Sequence, residues 1–201
     1  MKRWTIATVV ILVFFLILGI TPSHGEEQIY DGVLRLHVLA NSDSDEDQAL
    51  KLKVRDSIVA FCTAQLFDCK SRDEAQERLL GMLDEIRAEA EKTLCENGNS
   101  YDVNVTLGEE DYPRRNYDSL CFPAGRYLSL RVVIGEGKGK NWWCVLFPPL
   151  CLGAATASER EEAFIAAGFT PNQYKVITET DKVTYKMRFK CLEWLEALRN
   201  R

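Results

Sequence analysis

Residues 141–151, NWWCVLFPPLC, constrain this chain more than any other stretch, because they place two adjacent tryptophans, a Pro-Pro pair and two cysteines within eleven residues. Successive side chains of an extended segment point to opposite faces, so Trp142 and Trp143 cannot enter the same core. The strand must be covered on both sides, or it must offer one indole to a partner. Pro148 and Pro149 lack an N–H and cannot continue a β ladder, which predicts a strand ending at Phe147, with Leu150 and Cys151 on a turn beyond it. A turn of that length brings Cys144 and Cys151 into the roughly 4.4–6.8 Å Cα separation that a disulfide requires. The alternative for this pair is two small buried hydrophobes.

The first 25 residues are a separate element. Met1-Lys2-Arg3 is followed by an uncharged apolar run over residues 4–20, then by Ser23 and Gly25 at small-residue cleavage positions. This pattern predicts a secretory signal peptide. The alternative is an uncleaved anchor, since seventeen residues lie at the lower edge of what spans a bilayer. Either reading puts residues 26–201, taken as a single domain, outside the cytoplasm, with membrane contact only through the N-terminal segment.

Composition then excludes several function classes. The formal charge of −5 becomes −7 without Lys2 and Arg3, and such an acidic domain lacks the clustered Lys and Arg that nucleic acid demands. It also has no polybasic segment for anionic lipid. Export permits disulfides, and the odd count of seven cysteines leaves at least one free or intermolecular thiol. With no C-x-x-C motif and His37 the only histidine after the leader, a zinc site of the Cys₂His₂ type is ruled out.

Hydrophobic periodicity outlines an α+β fold with a mostly antiparallel sheet of about five strands, two long amphipathic helices and short C-terminal helices. The first strand, residues 33–39, sets Leu34, Leu36 and Val38 against Arg35, His37 and Leu39, with His37 read as a hydrogen-bonded surface residue. Ser42 and Ser44 then cap a helix expected to reach Leu66, whose apolar stripe is Leu50, Val54, Ile58, Phe61 and Cys62 and whose polar face includes Lys51 and Arg55. A calcium loop at Asp43, Asp45 and Asp47 fails because Gln48 stands where such a loop needs glycine and Val54 where it needs glutamate. A second capping box at Ser71 starts a helical stripe from Ala75 to Leu94. Val103, Val105 and Leu107 predict the second strand, and Leu128, Leu130, Val132 and Ile134 the third. Between them residues 108–122 read as a long polar loop.

Three alternating glycines, Gly135, Gly137 and Gly139, mimic a phosphate loop but precede a β-favouring segment rather than a helix. A hairpin between the third and fourth strands is the reading taken here. Residues 158–167 form a short helix closed by Gly168, residues 183–189 a fifth strand and residues 192–199 a terminal helix. No catalytic, cofactor-binding or metal-binding residues are assigned, and no cofactor or small-molecule substrate is expected. The nearest approach to a hydrolase is the acidic loop over 108–118, where Glu109, Glu110, Asp111 and Asp118 supply carboxylates.

Two stretches carry a family resemblance. RLHVLANSDSDEDQALKLKVRD (residues 35–56) and FPAGRYLSLRVVIGEGKGKNWWCVLFPPLC (residues 122–151) resemble the signature blocks of the stage II sporulation protein R family. The resemblance implies a non-catalytic signal of endospore formers, exported from the forespore into the space between the two membranes. There it activates a membrane-embedded aspartic protease of the mother cell, which matures pro-sigma-E. On that basis Trp142, Trp143, Phe147, Pro148, Pro149 and Leu150 are expected to include the contacts to the protease. Asn41, Asp43, Asp47, Gln48 and Arg55 form a second candidate surface. A secreted cell-wall hydrolase using the 108–118 acids is the rival class, and a structural envelope protein finds no support in the element pattern.

Overall fold

The computed structural model describes residues 4–5, 27–117, 120–149 and 157–178. Residues 27–178 of these belong to one compact unit, Gly25–Glu179; a second unit comprises Met1–His24 and Thr180–Arg201, of which Trp4 and Thr5 are described and helical. The expected fifth strand over 183–189, the terminal helix over 192–199 and most of the leader lie outside the described residues. Among the described residues, no helix is long and apolar enough to cross a membrane.

The chain runs α1 (Glu27–Gly32), β1 (Leu34–Leu39), α2 (Asp45–Leu66), α3 (Arg72–Leu80), α4 (Leu83–Glu96), β2 (Val103–Tyr112), β3 (Arg115–Tyr117), β4 (Leu120–Phe122), β5 (Gly125–Ile134), β6 (Asn141–Phe147), α5 (Ala157–Ala166) and α6 (Pro171–Thr178). Four strands form one sheet in the order β2-β5-β1-β6, while β3 and β4 pair only with each other. The β2/β5 and β1/β6 ladders are antiparallel and the central β1/β5 ladder is parallel. An α+β architecture with a mostly antiparallel sheet is therefore present, with four strands among the described residues.

Alternation along each strand sends two sets of side chains to opposite faces. On one face Leu34, Leu36 and Val38 meet Leu128, Leu130, Val132 and Ile134, and α2, α3 and α4 cover them with Val54, Ile58, Leu79, Ile86 and Leu94. Each of these fully buried aliphatic side chains contributes roughly 1.5–3 kcal/mol of burial free energy. On the other face Val145, Tyr127 and Tyr112 pack with Ile29 of α1, Phe122 of β4, Phe164 of α5 and Ile177 of α6. Because β1 is central and sandwiched, all six of its residues are buried.

Several expectations are corrected here. The predicted second long helix is two helices, because Gly81 caps α3 and Met82 departs from helical dihedrals before α4 begins. Residues 108–112 are not a loop but the continuation of β2, and the rest of that stretch holds the β3/β4 hairpin. The glycine-rich segment is not a hairpin connection, since β1 lies between β5 and β6. It crosses the end of β1 instead. His37 is hydrogen-bonded but buried rather than on the surface, and Lys51 is 4% exposed rather than on a polar helix face.

Candidate functional site

The turn between β1 and α2 and the glycine-rich crossover are locked together residue by residue. Ser44 caps α2, and its Oγ accepts from the Asp47 N–H. The Asp47 carboxylate reaches outward from the helix: Oδ2 accepts from Ser42 Oγ at 2.6 Å and from Asn41 Nδ2 at 2.9 Å. These donors, that of Ser42 foremost, hold the Asp47 carboxyl below its ordinary range.

Asn41 turns its amide oxygen to the Glu136 N–H at 3.0 Å, and its carbonyl accepts from Lys138 N–H. Gly139 N–H donates to the Ala40 carbonyl, and Lys140 N–H to Asp43 Oδ1 at 2.7 Å. Lys51 Nζ donates to Gln48 Oε1 at 2.7 Å and to the Lys140 carbonyl at 2.9 Å, and burial pushes its ammonium down in pKa. A Cβ on Gly139 would stand 2.2 Å from the Ser42 carbonyl oxygen, so this approach of two backbones requires glycine. Gly135 has a φ of 56°, which favours glycine as well.

Four of the five residues in the second candidate surface thus hold the fold together. Asp47 is 8% exposed, Asn41 and Gln48 are half-buried, and Asp43 is exposed but bonded to the crossover. Arg55 is different. Its guanidinium lies 4.3 Å from the ring centroid of Trp142, which keeps 38% of its surface exposed. The fixed clamp therefore presents a stacked Arg and Trp pair on the helix side of β6.

The residues of the first candidate surface separate by face, as adjacent strand positions must. Trp142 lies toward α2, whereas Trp143 turns to the other side against His37 (5.5 Å between centroids), Tyr112 (6.1 Å) and Arg115. Phe147 is 2% exposed and belongs to the helix-side core; Pro148 is buried and Pro149 exposed. Leu150 and Cys151 lie outside the described residues. Cys144 is disulfide-bonded, and Cys62, Cys69, Cys95 and Cys121 are free thiols. Burial pushes the Cys62 thiol up to about 12.

Among the described residues, the acids proposed for hydrolysis do not converge. Glu110 accepts from His37 Nδ1 at 3.2 Å and pairs with Arg131 at 3.4 Å, while Glu109 and Asp111 alternate to the opposite side of β2. Asp111 pairs with Arg126 at 3.5 Å, and Asp118 lies outside the described residues. The other ring nitrogen of His37 meets Asn141 Oδ1 at 3.0 Å, so this histidine is held between β2 and β6.

Periodicity placed Arg35 on the less apolar face of its strand but gave no sign of its burial. It is fully enclosed, with its guanidinium carbon 4.4 Å from the Tyr112 ring centroid and 4.9 Å from that of Tyr127. The available signal was an arginine two residues before His37 in a strand whose other members are all aliphatic.

Comparison with known proteins bears on these same segments. The family model described as Stage II sporulation protein R matches residues 30–157, which include the clamp, Arg55, the buried Arg35 and both tryptophans. The curated Stage II sporulation protein R of Bacillus subtilis (strain 168) is 41% identical over 123 residues, covering 61% of this chain and 55% of that protein. The alignment thus spans little more than half the length of the curated relative. No solved structure matches. With well over half of its length matched by the family model, the chain belongs to the stage II sporulation protein R family.

Proposed function

We propose that this chain is an exported, non-catalytic signal of sporulation that switches on a membrane-embedded aspartic protease of the mother cell, and so leads to maturation of pro-sigma-E. The observation that carries the reading is the family match over residues 30–157. Export is supplied by the leader, cleaved or retained. The docking element is the face bearing Arg55 and Trp142, followed by the exposed Pro149 beyond the end of β6. Arg and Trp are the side chains that most often dominate interface energetics. The clamp beneath them fixes both elements before binding, which lowers the ordering cost of association. A disulfide between Cys144 and Cys151 would stiffen the same end of the strand.

The test is reconstitution of the candidate protease with pro-sigma-E in proteoliposomes, with purified chain added. Wild-type chain and the variant Glu109→Gln/Asp111→Asn are expected to stimulate cleavage equally. No stimulation by wild type would refute the activator reading, and loss of stimulation in the amide variant alone would return the hydrolase class to contention.

A further inference from the structure

Strand β2 borders the four-stranded sheet and is ten residues long, Val103–Tyr112. Its register with β5 shows which of its peptide groups are left unused. The Gly135 N–H donates to the Asp102 carbonyl at 2.9 Å, and these two residues continue the pairing of Val103 with Ile134 without a shift. Hydrogen-bonded and non-hydrogen-bonded pairs alternate along an antiparallel ladder, so Asn104, Thr106, Gly108, Glu110 and Tyr112 bond to β5. Val103, Val105, Leu107, Glu109 and Asp111 therefore turn their N–H and C=O groups to the outer edge, where no strand among the described residues meets them.

An open edge is a template for another strand, and lysine, proline or a bulge commonly blunts it. Strand β2 has none of these. Its side chains change in character along the edge. Val103, Val105 and Leu107 pack fully or in part on the helix-side core. Gly108 leaves its own face bare, since nothing lies within 4 Å of its Cβ position, and a ring on an adjoining strand covers such an edge glycine. Glu109, Glu110 and Asp111 then make the far end acidic. Glu110 is committed to His37 and Arg131, while Asp111 meets Arg126 in a pair that is mostly exposed and correspondingly weak. Glu109 is exposed and forms no ion pair among the described residues.

We propose that the outer edge of β2 docks an extended segment of another protein, which joins the sheet as an added antiparallel strand. Main-chain hydrogen bonds to Val103, Val105, Leu107, Glu109 and Asp111 hold such a strand, and its side chains give the specificity. The edge chemistry fixes their kind: lysine or arginine opposite Glu109 and Asp111, an aromatic residue opposite Gly108, and aliphatic residues opposite Leu107, Val105 and Val103. A second copy of β2 fits poorly. The antiparallel register that sets its Tyr112 opposite Gly108 also sets its Asp111 opposite Glu109, and like charges directly opposite destabilise a pair. This edge and β6 are the two borders of the sheet, so the site is separate from the face bearing Arg55 and Trp142. It stands or falls independently of the activator reading.

The test is amide hydrogen exchange of ¹⁵N-labelled full chain with the probe peptide acetyl-KTKYVTVTV-amide, which carries that pattern in antiparallel order. In the free chain the amides of Val105, Leu107 and Glu109 are expected to exchange at least tenfold faster than those of Thr106, Gly108 and Glu110. The peptide should slow the first set at least tenfold and saturably. The same peptide N-methylated at the alternate residues that face β2 should leave them unchanged, and a version with glutamate in place of both lysines should need a tenfold higher concentration. Glu109→Lys, a change at an exposed position, should narrow or reverse that preference. No slowing by the probe, or equal slowing by the N-methylated peptide, would overturn strand addition. Outward amides already slow in the free chain would overturn the open edge, with loss of that protection on dilution assigning it to a second copy.

Discussion

The Arg55 guanidinium lies 4.3 Å from the ring centroid of Trp142, and this contact joins α2 to β6 within the stretch that the family model matches. It rests on the clamp beneath, in which the turn after β1 and the crossover before β6 exchange hydrogen bonds through Asn41, Asp43 and Lys51. The strand carrying Trp142 and the helix carrying Arg55 therefore form one rigid corner.

Asp47 should make that corner acid-sensitive. Its folded pKa lies below the ordinary value of 3.8, chiefly because Ser42 and then Asn41 donate to the carboxylate. A depressed carboxyl pKa contributes stability that is fully present above the unfolded value and is lost as pH falls through the folded one. Asp47→Ala, which removes two charge-assisted hydrogen bonds, is expected to cost about 2–4 kcal/mol at pH 7. Urea unfolding at pH 7 and pH 3 should show the gap between wild type and variant narrowing at the lower pH; a constant gap would mean that the charge contributes nothing.

Gly139→Ala should cost more than its small size suggests. The new methyl would meet the Ser42 carbonyl oxygen at 2.2 Å, and relieving that clash separates Gly139 from Ala40. A loss of about 1–3 kcal/mol is expected. Gly108→Ala serves as the control, since nothing lies within 4 Å of its Cβ position. Equal melting temperatures for the two variants would refute the close approach.

The cysteines give a chemical count. If Cys144 is joined to Cys151, five of the seven thiols titrate in denatured, unreduced protein; seven would exclude any disulfide. In the native state Cys95, the exposed one among the free described thiols, should react with a disulfide reagent first. Cys62, buried and pushed up to about 12, should react only on unfolding.

Much of this architecture was legible in the sequence, and each failure has a physical cause. Alternation located β1, β5 and the first part of β2 because one face of each packs into the helix-side aliphatic core, whereas β6 was legible from its aromatic, β-favouring composition. The alternation failed over Gly108, Glu109, Glu110 and Asp111, where β2 borders the sheet and its side chains meet solvent and ion pairs instead. Periodicity carries no strand order, so the glycine-rich crossover looked like a hairpin until β1 was seen between β5 and β6. Lys51 and Arg35 were misjudged for a shared reason: a long cationic side chain can be buried whenever its head finds carbonyls or rings, and those partners are distant in sequence. The same holds for the candidate interface, where the adjacency of Trp142 and Trp143 predicted opposite faces correctly. Which indole stays exposed depends on Arg55 and Arg115, which no local pattern connects to them.

The central claim is that the face bearing Arg55 and Trp142 acts on the protease rather than on the fold. The direct measurement is an immunoblot of pro-sigma-E in sporulating cells carrying Arg55→Ala or Trp142→Ala in place of the native chain, read beside the melting curve of each purified variant. A partly buried cation–π pair at the surface contributes about 1 kcal/mol, so Arg55→Ala should melt within about 4 °C of wild type. The account predicts that processing is lost in both variants while the Arg55→Ala protein remains folded at the temperature of sporulation. Normal processing in both variants, or loss only where the melting curve shows an unfolded protein, would contradict it.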